Sequence, residues 1–326
     1  MVSHKGTAPT GSTLGSAVVK VASLAELPAE AARAVVINVG TDLTAALALA
    51  SIRFRTSLPA LLVSCDPTPE STARFDRLMR KWEFDVIEQP ARSHGDTLDW
   101  LFEGIRADKV LLVDSDAELR DPAWVDRILG YVEHPLVFGA GFVHKAVTKP
   151  HVLNPEHAYT PCLLLRTADV REALRAGTTF RFHVVYNDFR FNRRIARILA
   201  SRLRHEWAPR NGRVEQLPEP LRERLARSTL PWLRWARTDH QGLRPSLVVY
   251  DTGSEVYSWC RHHKRLLFAG LPAAVIGDEL VHYGGVTRGQ VPGGAGRRAP
   301  VSIDTIEGEV RERLLTEYGL DWDDVA

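Results

Sequence analysis

Between Ala34 and about Gly141, short aliphatic and β-branched runs alternate with longer stretches at helical spacing, and few folds accommodate that order. Ala34-Val-Val-Ile-Asn-Val39 reads as a strand, and Thr41 or Asp42 can cap a helix whose apolar side carries Leu43, Ala46, Leu47, Ala50 and Phe54. The pattern repeats: a strand at Pro59–Ser64, a helix over Glu70–Trp82, a strand at Phe84–Glu88, a helix over Thr97–Ile105 and a strand at Lys109–Val113. Such alternation implies right-handed crossovers and a mostly parallel α/β sheet covered by helices on both faces. Ligands of these sheets bind beyond the carboxyl ends of the strands, where Gly40-Thr-Asp42, Cys65-Asp66-Pro67 and Asp114-Ser-Asp116 all fall. At 326 residues and 44% apolar composition the chain can bury a sizeable core, as one large domain or two small ones.

The fourth run, Lys109-Val-Leu-Leu-Val, ends on two acids one residue apart, Asp114 and Asp116, and about 165 residues later comes Val281-His282-Tyr-Gly-Gly285. Alternate residues of an extended segment point the same way, so the two carboxylates can converge as the strand runs out. Two hard oxygen donors suit Mg²⁺ or Mn²⁺, an added imidazole leans towards Mn²⁺, and such a cation characteristically holds a diphosphate. The competing readings are bland: a polar turn after a buried strand for the acids, and a satisfied strand-end histidine for His282. The paired glycine behind His282, which lets backbone approach a ligand closely, weighs for the ligand reading.

Charge and cysteine usage narrow the class. A formal charge of +2 is too mild to argue for nucleic acid, and Cys65, Cys162 and Cys260 lack metal-ligand spacing, so they read as reduced thiols of a cytoplasmic protein. Residues 1–30 are rich in Ser, Thr, Gly and Ala without a continuous apolar run and read as a flexible segment. After Gly141 the pattern changes. Pro161–Arg166 and Ser246–Tyr250 look like strands, and about 183–244 looks helical; from Arg181 to Arg244 there are 15 Arg, no Lys and 6 acids. Arg193, Arg194, Arg197, Arg202 and Arg204 interleave with Ile195, Ile198, Leu199 and Leu203, and Trp207, Trp232 and Trp235 add aromatic surface. Solvated helix faces, an acceptor groove and peripheral contact with an anionic membrane at the inner face remain open for that stretch. Residues 286–300 read as a mobile Gly/Pro loop and about Thr305–Tyr318 as a closing helix. Arginine outnumbers lysine 35 to 7, which fits a GC-rich bacterial gene.

The α/β half, the Asp-x-Asp after its fourth strand and the late His-Tyr-Gly-Gly together resemble the GT-A glycosyltransferases, most closely the family 2 type. The overlap covers roughly residues 33–170 and 246–285; the arginine-rich stretch has no counterpart. The resemblance implies a GT-A type Rossmann-like sheet with an arginine-rich helical insertion, divided into residues 31–145 for a nucleotide-sugar donor, 146–285 for the acceptor, and 286–326 for loop and last helix. It further implies that Asp116, Asp114 and His282 hold Mn²⁺ or Mg²⁺, with Asp114 and Ser115 beside the donor's ribose or sugar. Val39, Gly40 and Thr41 would face the nucleoside, Asp66 the base or ribose, and His94 another part of the nucleotide. The donor would be UDP-, GDP- or dTDP-linked, with no nucleic-acid partner; the acceptor stays open, a lipid-linked molecule or a natural product among the candidates.

In an inverting transfer a carboxylate takes the acceptor's proton. Tyr250-Asp251-Thr-Gly-Ser-Glu255 follows a strand and opens a helix; if that helix starts near Asp251, then Asp251 and Glu255 share a face, and Asp251 is the narrowly preferred base. Asp251 can equally be a helix cap, as can His94, and Asp66 before Pro67 is a turn signal in its own right. Two other functions remain. A sugar-phosphate nucleotidyltransferase would carry a glycine-rich loop with a basic residue after the first strand, which Gly40-Thr-Asp is not; a non-catalytic GT-A-like interaction protein would use the basic stretch as its surface.

Overall fold

The computed structural model describes residues 20–90, 92–149, 152–186, 247–272, 275–283 and 303–325. The arginine-rich stretch from residue 187, the loop 286–300 and residues 1–19 lie outside the described residues. The first half follows the predicted alternation: β1 (Arg33–Asn38), α1 (Asp42–Arg55), β2 (Ala60–Cys65), α2 (Pro69–Trp82), β3 (Asp85–Gln89), α3 (His94–Gly104) and β4 (Lys109–Asp114). Then come β5 (Ala117–Leu119), α4 (Pro122–Glu133), β6 (Val137–His144), β7 (Val147–Lys149), β8 (Val152–Asn154), β9 (His157–Arg166), α5 (Thr167–Arg175) and β10 (His183–Tyr186). The last described elements are β11 (Leu247–Tyr250), α6 (Ser254–Ser258) running into a π turn at Trp259–His263, β12 (Leu267–Gly270), α7 (Val275–Asp278), β13 (Leu280–His282), α8 (Ile303–Tyr318) and a 3-10 turn at Asp323–Val325.

Seven strands form the main sheet in the order β12-β6-β9-β4-β1-β2-β3. The pairs β1/β2, β1/β4, β2/β3 and β6/β12 are parallel, whereas β9 runs antiparallel to both β4 and β6. The sheet is thus mostly parallel and Rossmann-like, with one reversed strand in its middle. Its strands separate two cores by strict alternation. Ala34, Val36, Leu62, Leu111 and Val113 face α1, α2, α4 and α8, while Val35, Leu61, Val63, Val110 and Leu112 face α3 and α5. Helix starts are set by side chains: Thr68 Oγ1 accepts the Ser71 amide, Ser93 Oγ accepts that of Asp96, and Asp121 accepts that of Ala123. The helix expected from Thr97 accordingly begins at His94, because Ser93 is the cap.

A four-stranded sheet, β10-β11-β8-β7, and a two-stranded pair, β13-β5, complete the described part. All three cysteines are free and buried, and no described helix is long and apolar enough to cross a membrane.

Candidate metal centre and its surroundings

The site begins where β4 ends. Asp114 closes that strand, Ser115 and Asp116 turn the chain, and β5 leaves in a new direction to pair with β13 in the register Ala117↔His282, Glu118↔Val281 and Leu119↔Leu280. The Tyr283 amide then donates to the Asp116 carbonyl at 2.8 Å. This pairing brings His282 across to the acids: its Nε2 lies 3.2 Å from Asp116 Oδ1 and 3.8 Å from Asp114 Oδ2. One donor atom from each of the three residues falls within 4.8 Å of the others. Donors held by a six-coordinate cation at about 2.1 Å stand about 3 Å apart when adjacent, so two carboxylates and an imidazole at this spacing suit one divalent ion after a small contraction. Asp116 and Ser115 are each only 6% exposed. Burial opposes charge on His282, yet the hydrogen bond to Asp116 and the two neighbouring carboxylates outweigh it and raise the imidazole above its ordinary value.

The β1–α1 turn is fastened to this centre. Asn38, buried at the end of β1, accepts the Thr41 amide (3.0 Å) and hydroxyl (2.9 Å) on its carboxamide oxygen and donates to Asp42 Oδ1 at 2.8 Å. With its proton committed to Asn38, Thr41 Oγ1 can only accept from Ser115 Oγ, 3.0 Å away. Thr41 therefore occupies the N-cap position of α1 but spends its hydroxyl on the turn rather than on capping. Gly40 holds φ +67°, the left-handed region, and leaves open space beside it.

The residues expected to meet the donor divide between two recesses. His94 and Asp114 line a small one backed by Val35, Ile37, Leu98, Leu112 and Val113. Gly40, Thr41 and Asp66 line a cleft of about 440 Å³ that Arg74, Arg311 and Trp322 also line. Ser115 joins the two through Thr41, and Val39 stands 48% exposed. Gly95 is a packing glycine: a Cβ there would lie 2.5 Å from Arg181 Cα and 2.7 Å from Phe180 O.

Asp251 and Glu255 do not share a helix face as expected. Gly253, at φ +79°, is the N-cap of α6, so the helix begins at Ser254 and Asp251 lies ahead of it in a turn, its Oδ1 accepting the Thr252 amide at 2.8 Å. Each acid faces a buried imidazole: His157 Nε2 is 3.7 Å from Asp251 Oδ2, and His183 Nε2 is 3.9 Å from Glu255 Oε2. Both rings donate Nδ1–H to a carbonyl two residues back, Pro155 and Arg181, at 3.0 Å. Glu255 also accepts the Thr179 amide at 3.3 Å. A row of rings links the candidate metal centre to Asp251: His282 to Tyr159 (6.0 Å between centroids), Tyr159 to His144 (4.4 Å), His144 to His157 (5.2 Å). Three of these rings come from the paired ends of β6 and β9, where His144 lies opposite His157. Sequence reading missed Asn38, His144, His157 and Tyr159; the only local signal was the His157-x-Tyr159 alternation at a strand start.

Protein-family models and curated protein sequences return no match. Among solved structures, a mannosyltransferase from Pyrobaculum calidifontis, in complex with GDP-Man and Mn²⁺, is 13% identical over 48% of this chain and 48% of its own, with a TM-score of 0.36. TarS from S. aureus is 13% identical over 43% of this chain and 48% of its own, with a TM-score of 0.32. A CMP:2-keto-3-deoxy-manno-octonic acid synthetase complexed with CTP is 14% identical over 45% of this chain and 78% of its own, with a TM-score of 0.32. This chain thus spans about half the length of the first two.

Proposed function

We propose that the chain is a metal-dependent glycosyltransferase that moves a sugar from a nucleoside-diphosphate donor to an acceptor hydroxyl with inversion. The observation that carries this reading is the convergence of Asp114, Asp116 and His282 at the carboxyl edge of a mostly parallel sheet, built by the β5/β13 pairing. A bound Mn²⁺ or Mg²⁺ would neutralise charge on the departing diphosphate. Ser115 and Thr41 hold the neighbouring turn in place, and His94 flanks Asp114 where the nucleotide would lie. Asp251 is the acid open to an incoming acceptor, its side chain 51% exposed against 17% for Glu255. It takes the hydroxyl proton as the acceptor oxygen attacks the anomeric carbon and the diphosphate leaves. The Val39–Thr41 turn offers no basic side chain to a triphosphate, which weighs against nucleotidyl transfer.

The test is a thermal-shift series with UDP, GDP, dTDP, ADP and CDP, each with and without Mn²⁺. One nucleotide should stabilise the wild-type chain only with the ion, by about 2.7 kcal/mol at 100 times its dissociation constant. Asp116→Ala should abolish that shift; an undiminished Mn²⁺-dependent shift in the variant would overturn the metal assignment.

A further inference from the structure

Two residues beyond Asp116 stands Glu118, fully buried in the middle of β5. An ionised carboxylate out of water is tolerated only where it is paired and hydrogen-bonded, and this one collects an unusual set of donors. Arg313 Nε reaches Oε1 at 3.1 Å and Oε2 at 3.2 Å, and Arg313 Nη2 also donates to Oε1. Arg120 Nε donates to Oε2 at 3.1 Å, Tyr283 Oη to Oε2 at 3.3 Å, and Tyr318 Oη to Oε1 at 3.0 Å. These donors lie on different pieces of the fold. Tyr283 follows the ligand His282 and closes on Asp116 through its amide; Arg313 and Tyr318 belong to α8.

The β5/β13 pair is three residues long on each strand, and an isolated two-stranded pair of that length is not stable in water. Something must hold it in register, because a slip would carry His282 away from the acids. Docking of α8 does not by itself require a buried charge, since Ile306, Val310, Leu314 and Tyr318 already sit in the core.

We propose that Glu118 is a positioning residue for the cation site: by bonding both sides of the β5/β13 pair and α8 at once, it keeps Asp116 and His282 within ligand distance of each other. This role rests on the metal reading above, and its test reads metal alone. Titration of the full chain with Mn²⁺, followed by the EPR signal of the free ion, gives the dissociation constant for wild type, Glu118→Gln and Tyr318→Phe. Leu78→Ala, a core truncation in α2 away from this network, sets the level expected from lost stability only. Outer-shell substitutions typically weaken metal binding by about 10- to 100-fold; Glu118→Gln should fall in that range and Tyr318→Phe near its lower end, with an altered spectrum of the bound ion, while Leu78→Ala keeps the wild-type constant. Unchanged affinity in both network variants overturns the role. Should Glu118→Gln fail to fold, Tyr318→Phe decides alone, and wild-type affinity there overturns it equally. Absence of Mn²⁺ binding by the wild-type chain would remove the metal reading itself and this role with it, whereas binding of Mn²⁺ without any nucleotide effect would sink the donor reading and leave the positioning role standing.

Discussion

His282 carries two opposed pulls, and its protonation follows from which wins. Desolvation disfavours the imidazolium, but Asp116 and Asp114 favour it more, so the metal-free folded chain holds this proton more tightly than the unfolded chain does. The raised value means that its contribution to stability is fully present below the unfolded value of about 6.5 and is lost as pH rises through the folded one. A cation needs the neutral ring, so the same proton competes with the metal. Mn²⁺ affinity should therefore rise as pH is taken from about 5.5 to 8, and a pH-independent dissociation constant would contradict the ligand assignment. For Asp251 the expected outcome is a split: Asp251→Asn keeps Mn²⁺-dependent nucleotide binding but lowers transfer by about 10²- to 10⁴-fold, the range a general base supplies. Wild-type turnover in that variant would move the proton elsewhere. Asp114, Asp116 and His282 were legible in the sequence because their donor chemistry announces itself. Asn38, His157 and Glu118 were not, since a buried amide, imidazole or carboxylate acquires its meaning from partners that the chain order does not reveal.

Helix starts illustrate how local and tertiary effects divide. The run Ser93-His-Gly-Asp96 caps α3 through the Ser93 hydroxyl, a signal that was present but hidden by the lack of apolar residues before Thr97. The start of α6 depended on a glycine: with Gly253 at φ +79°, Asp251 is left in the preceding turn, and the i, i+4 relation with Glu255 does not form. Gly95 shows the reverse case, a requirement imposed wholly by a neighbour. The backbone at Phe180–Arg181 crosses α3 so closely that any Cβ collides, and the crossing is locked by Asp99, which accepts the Phe180 amide at 2.8 Å and the Thr179 hydroxyl. Gly95→Ala should cost about 1–3 kcal/mol in chemical denaturation, the usual penalty for overpacking. Because the Gly253 amide is held by the Phe180 carbonyl at 3.0 Å, the displacement also reaches the Asp251 turn, so transfer activity should fall by more than the folded fraction does. An activity loss that only tracks the folded fraction would argue against that connection.

Across the molecule, α8 closes the core on the α1 side. Leu314 is fully buried there, Tyr318 packs against Phe54 at 5.6 Å between centroids, and Arg55 pairs with Glu317 at 3.2 Å. Leu314→Ala should remove about 2–5 kcal/mol of stability and lower the melting temperature by several degrees; a shift within error would mean that α8 contributes little to the cooperative unit. The reversal of β9 between β4 and β6 could not be read in advance, because an apolar run such as Pro161–Arg166 has the same periodicity in either direction. By itself the sequence determined the alternation of strand and helix, the mostly parallel α/β class, the edge at which polar turns gather and the Asp114-Ser-Asp116 pair of acids, because each of these follows from spacing and residue chemistry along a few consecutive positions; it offered His282 as a third donor by residue chemistry alone. Only the tertiary structure decided that β5 pairs with β13, that Glu118 ties this pair to α8 and that rings from β6 and β9 run from His282 to Asp251. Those are contacts between residues up to 200 positions apart, and long-range pairing is settled by burial and hydrogen-bond satisfaction in the folded chain, not by any local pattern.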